Sequence, residues 1–168
     1  GLLRELDRRA VARLLEEARN MEKAGQWGAA ATRYRSLLHL APDRLDLLER
    51  IAHGEARRGN HRDALAIFEE GVIRAATQFS EPEGRGVSAG TGNAGPNDAV
   101  LAAMREGAAR SALTLRDLPA LRRHAVLLAP HRTRASLRLL AEAAMAEDRP
   151  DRAAQLLSRL AEGDDIQA

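Results

Sequence analysis

The chain has 168 residues, 45% of them hydrophobic, with a formal net charge of only +2 and no cysteine. Such a length suits one compact domain or a short array of repeats. The missing cysteines remove disulfides, thiolate nucleophiles and cysteine-based metal sites together, and 26 basic against 24 acidic residues leave no polyanion track.

The pI of 9.9 does not contradict that balance. Lys23 is the sole lysine, and arginine titrates higher, so a small excess of arginine lifts the pI steeply. The arginine bias points to a GC-rich, bacterial genome more simply than to a nucleic-acid groove. Trp27, Tyr34, Phe68 and Phe79 are the only aromatics, so the core must be built of leucine and alanine, which favours helix over strand. No apolar run approaches the roughly 18 residues of a membrane span, and no signal-type segment is seen. The cytoplasm is the expected compartment, with the periplasm as the alternative. The chain starts at Gly1 without methionine, as expected of a processed end or a piece of a larger protein.

In chain order, Leu2, Leu3, Leu6, Ala10, Leu14, Leu15, Ala18 and Met21 recur at helical spacing and predict a long helix to about Ala24. Gly25 ends it, because a helix end favours a residue that tolerates positive φ. A second helix is predicted over Trp27–Leu40, stopped by Pro42. The next pair is predicted over Arg44–Arg58 and His61–Thr77, with Gly59 at the turn, Asn60 as cap and Asp63 in the first turn.

Between Gln78 and Asn97 the periodicity stops in a glycine-rich stretch with Pro82 and Pro96, which reads as a flexible insert. Gly90, Gly92 and Gly95 do spell the nucleotide fingerprint, but no strand precedes them and Pro96 removes an amide donor. Helix resumes over Asp98–Leu115 with Val100, Leu101, Met104, Ala108 and Ala112 inward. Asp117 as cap and Pro119 in the first turn then open a helix to Leu128, before Pro130. This third pair has no turn glycine, and its second helix is about a turn short. In the last pair Pro150 opens a helix that Gly163 is expected to stop near Glu162, leaving a frayed tail.

These segments repeat one another. Leu14, Ala18, Gly25, Ala30 and Tyr34 return 34 residues later as Leu48, Ala52, Gly59, Ala64 and Phe68. Leu137, Ala141, Ala153 and Leu157 follow 89 residues beyond Leu48, Ala52, Ala64 and Phe68. A fixed period of this length marks stacked helical hairpins, each covering the apolar face of its neighbour. The units fall at about 11–44, 45–78, 98–130 and 131–163, with 79–97 inserted and 164–168 trailing. Small alanines at the recurring positions let paired helices approach, and Tyr34 and Phe68 fill the groove against the next helix.

With Gly25, Trp27, Ala30, Tyr34 and Pro42 in the roles of turn glycine, following aromatic, small residue, bulky aromatic and terminal proline, the chain resembles the tetratricopeptide repeat family. The second unit departs from the pattern at His61, Gly71 and Ala76. The resemblance implies an all-α fold, a right-handed solenoid of stacked antiparallel hairpins. It also implies that the first helix of each pair lines a concave groove that takes a peptide or partner protein. Carried onto this chain, groove positions are Leu15, Arg19 and Glu22, then Glu49, His53, Ala56 and Arg57, then Glu106 and Arg110, then Arg138, Glu142 and Met145. The family's clamp for a C-terminal carboxylate would fall on Leu15, Arg19, Arg50, Val100 and Met104, which do not fit it.

No catalytic, cofactor or metal residues are assigned. The five histidines follow no metal-ligand spacing, although His124 and His131 flank a helix end. Neighbouring carboxylates such as Glu16 and Glu17, or Glu69 and Glu70, point apart on a helix, and there is no nucleophile elbow or phosphate loop. The expectation is a non-catalytic protein-interaction scaffold, with an oligomerisation or regulatory segment of a larger protein as the alternative.

Overall fold

The computed structural model describes residues 2–79, 96–128 and 134–165. Among them the regular structure is entirely helical: α1 Leu2–Lys23, α2 Trp27–Leu40, α3 Leu45–Arg57, α4 His61–Phe79, α5 Pro96–Leu115, α6 Leu118–Leu128, α7 Arg134–Ala146 and α8 Pro150–Asp165. The Gly90, Gly92 and Gly95 motif, His131 and the tail from residue 166 lie outside the described residues. Three boundaries differ from expectation by two or three residues. Helices α4 and α5 reach to Phe79 and back to Pro96, and α8 runs through Gly163 to Asp165. One interior glycine costs a helix only about 1 kcal/mol, which the rest of the helix can offset.

The pairs α1–α2, α3–α4, α5–α6 and α7–α8 are joined by the same turn. Gly25 and Gly59 adopt φ of 74° and 85°. The third and fourth turns carry no glycine, yet Arg116 and Asp148 sit at φ of 59° and 57° in the equivalent place. Each turn closes the preceding helix with the same two backbone bonds. Gly25 N–H donates to Glu22 and Gln26 N–H to Met21; Gly59 and Asn60 bond to Ala56 and Glu55 in the same way. Arg116 and Asp117 repeat this with Leu113 and Ala112, and Asp148 and Arg149 with Met145 and Ala144. Paired bonds of this kind satisfy the last carbonyls of a helix around one left-handed residue. The third hairpin, irregular in sequence, is therefore regular in its turn. Asp117 also caps α6 as expected, its Oδ1 accepting the Ala120 N–H at 3.2 Å.

Each helix packs on the next along the chain, and α3 also touches α5, as α5 touches α7. The recurring alanines Ala18, Ala30, Ala52, Ala64, Ala141 and Ala153 are all buried. Tyr34, Leu37, Leu47 and Ile51 form one apolar cluster with α1, and Phe68, Met104, Leu121 and Leu139 belong to a larger one that runs from α3 to α7. Leu38 and Ile67 pack against both.

Two glycines explain the tight α4–α5 junction. The Phe68 ring lies directly over Gly107, and the Met104 sulfur lies against Gly71. Gly71, where the first unit has Leu37, is thus a fitted position and not a lapse in the repeat. Leu157 departs the other way. It holds the register of Phe68, but no helix covers that face of α8 among the described residues, and it is 51% exposed.

Candidate partner-binding surface

The residues expected to line a groove lie on the odd-numbered helices, and the structure divides them into two groups. Those on α1 and α3 are largely engaged by the fold. Leu15 packs partly buried against the first apolar cluster. Glu22 accepts from Arg50 Nη1 at 2.9 Å, and the Arg50 guanidinium stands 5.8 Å from the centre of the Tyr34 ring. Tyr34 is buried, and that burial, with Glu22 beside it, raises the phenol above its ordinary range. Glu49 and His53 approach to 3.6 Å, and His53 meets the Phe68 ring edge-on at 5.1 Å. Arg57 sits over the Trp27 indole, 5.5 Å from the ring centre, a cation–π contact that also holds the α1–α2 turn region against α3. Arg19 is exposed and makes no ion pair among the described residues.

A second charged knot secures the end of α3. Glu55 is buried and accepts from Asn60 Nδ2 at 2.8 Å, from Arg58 Nη1 at 3.3 Å and from Arg35 Nη2 at 3.4 Å. The Asn60 hydrogen bond, backed by Arg58 and Arg35, holds the carboxyl below its ordinary range despite burial. Asn60, expected as a helix cap, thus directs its side-chain amide to a buried acid.

On α5 and α7 the expected residues do come together. Two adjoining clefts lie between these helices, of about 730 and 520 Å³. Arg138 and Glu142 of α7 and Leu113 and Thr114 of α5 line both, so the two form one groove. Arg110 borders one end, while Met145 borders the other, 60% exposed. Glu106 is drawn to Arg110 at 2.6 Å. Arg138 and Glu142, one helical turn apart, form no ion pair among the described residues. Sequence reasoning missed Leu113, Arg116, Arg134 and Leu157, which also line the groove. The 89-residue offset to Phe68 had placed Leu157 in the core, so its pattern pointed away from the surface.

His124, which follows no metal-ligand spacing, is buried on α6, with Nε2 3.0 Å from Glu69 Oε1 of α4. Arg123 Nη2 donates to the same oxygen at 3.0 Å. This arrangement ties α4 to α6. No group of three or more metal-ligating side chains occurs among the described residues. No described helix is long and apolar enough to cross a membrane.

No protein-family model matches the chain, and no curated protein is significantly similar to it.

Proposed function

We propose that the chain is a non-catalytic protein-interaction scaffold, a right-handed solenoid of tetratricopeptide-like hairpins that holds a peptide or partner protein against its odd-numbered helices. The observation that carries this reading is the open groove between α5 and α7, bordered by Arg138, Glu142 and the exposed Met145. The fourfold recurrence of one hairpin turn supports the repeat architecture, as does the passing of α3 onto α5 and α5 onto α7. Exposed guanidinium groups on such a surface recognise carboxylates by forked hydrogen bonds.

The test is partner capture by the chain carrying paired Arg57→Glu and Arg138→Glu substitutions. Capture should be lost while the helical circular dichroism spectrum is kept. Unaltered capture by a folded variant would overturn the reading.

A second reading, an oligomerisation or regulatory segment of a larger protein, rests on Leu40, Ile73, Val126 and Leu127, exposed on the even-numbered helices. It predicts that sedimentation mass rises with concentration. A peptide-binding monomer keeps one mass.

A further inference from the structure

Building on the scaffold reading, we propose that the α5–α7 groove binds an acidic segment of a partner protein that carries one bulky apolar side chain. The two ends of the groove differ in chemistry. At one end Arg110, Arg134 and Arg138 converge around Leu139. At the other, Leu113, Ala141, Met145 and Leu157 form an apolar floor, with Arg116 at its edge. Met145 and Leu157 are both more than half exposed, and covering them with one apolar side chain removes that surface from water.

Charge decides the rest of the ligand. Among the described residues, four arginines border the groove against Glu142 as the only lining carboxylate. Glu106 already offsets Arg110 and Arg134 has an interaction of its own, so the balance rests on Arg116 and Arg138 against Glu142 and remains positive. Arg116 and Arg138 form no ion pair among the described residues. A basic segment would set its charges against these two with one acid to receive them. An acidic one meets planar donors that pair with carboxylates through two bonds at once. From Arg134 to Met145 the helix rises about 16 Å, enough for roughly five residues of extended chain. Among the described residues no aromatic side chain lines the groove, so they offer no platform on which nucleic-acid bases would stack.

The test uses the full chain and fluorescent synthetic peptides read by anisotropy: one of glutamate and aspartate with a central leucine, its lysine counterpart, and the acidic peptide without leucine. The acidic leucine peptide should saturate, at least about tenfold tighter than either control, and weaken with added salt. Arg138→Glu and Met145→Asp should each weaken it about tenfold. Both replace exposed side chains, and circular dichroism verifies the fold. Arg62→Glu, the same charge change on an exposed site of α4, should leave binding unaltered.

Equal binding of the lysine or leucine-free peptide, or indifference to Arg138→Glu, would overturn the proposal. So would a single-stranded oligonucleotide binding tighter than the acidic peptide. If the chain alone forms an oligomer that the acidic peptide dissociates, a second copy fills the groove and the partner assignment is wrong. If peptide binding fails while partner capture still depends on Arg57, the scaffold reading stands and this groove is not its site.

Discussion

Gly107 lies beneath the ring of Phe68 so closely that a Cβ built on it would stand 2.4 Å from two ring carbons. The aromatic of the second hairpin is therefore seated on the backbone of the third. A bulky side chain at that register requires its neighbour to have none.

Two effects compete when Gly107 is changed to alanine. Helix propensity gains about 1 kcal/mol, whereas overpacking a fitted core costs about 1–3 kcal/mol. At 2.4 Å from a rigid, fully buried ring the clash dominates. Gly107→Ala should lower stability by about 2 kcal/mol in urea unfolding, and adding Phe68→Leu should recover part of the loss.

Gly71→Ala offers a contrast at the same junction. Its Cβ would meet the Met104 sulfur at 2.8 Å, but a thioether chain can turn aside where a ring cannot. The expected cost is under about 1 kcal/mol, after the helix gain is counted. Urea midpoints of the two variants, measured side by side, should rank Gly107→Ala well below Gly71→Ala.

Arg116 and Asp148 occupy a backbone region where a side chain costs roughly 1 kcal/mol. Arg116→Gly should therefore raise stability by about 0.5–1 kcal/mol. Asp148→Gly should gain less, since aspartate tolerates this region better. Gly25→Ala and Gly59→Ala should each lose about 1 kcal/mol, although open space surrounds both positions. Chemical denaturation of the four variants checks signs and order.

Acid sensitivity should follow Glu55. Its folded-state carboxyl is depressed by Asn60, Arg58 and Arg35. The stability it contributes is present above the unfolded carboxylate value and is lost as pH falls through the folded one. Glu55→Gln should thus be less stable than the parent at neutral pH, with the gap narrowing under acid. Stability curves of the two proteins between pH 7 and about pH 3 give the comparison.

Much of the helical layout was legible because apolar spacing, Gly25, Gly59, Asp117 and Pro150 each act locally. Trp27–Leu40 was delimited to the residue. What sequence could not show depends on neighbours. Arg116 and Asp148 adopt a glycine-like backbone because the hairpin imposes it, and neither residue type announces that. Gly71 and Gly107 acquire meaning only from Met104 and Phe68 across the junction. The surface was half legible: Arg110, Arg138, Glu142 and Met145 do border one groove, whereas Glu22 and Arg57 already have partners within the fold. Leu157 misled because the offset carries register but not the presence of a following helix.

Among the described residues, the junction of α6 with α7 is the sparsest between consecutive helices. Hydrogen exchange should accordingly report early partial opening of α7 and α8, with the α3–α5 amides released only on complete unfolding. A partner segment held as proposed in the groove, of which α7 forms one wall, would also fasten this section. Its arrival should slow deuterium uptake through α8, of whose described residues only Leu157 touches the groove, so the chain would register its cargo as a change in cohesion along its length.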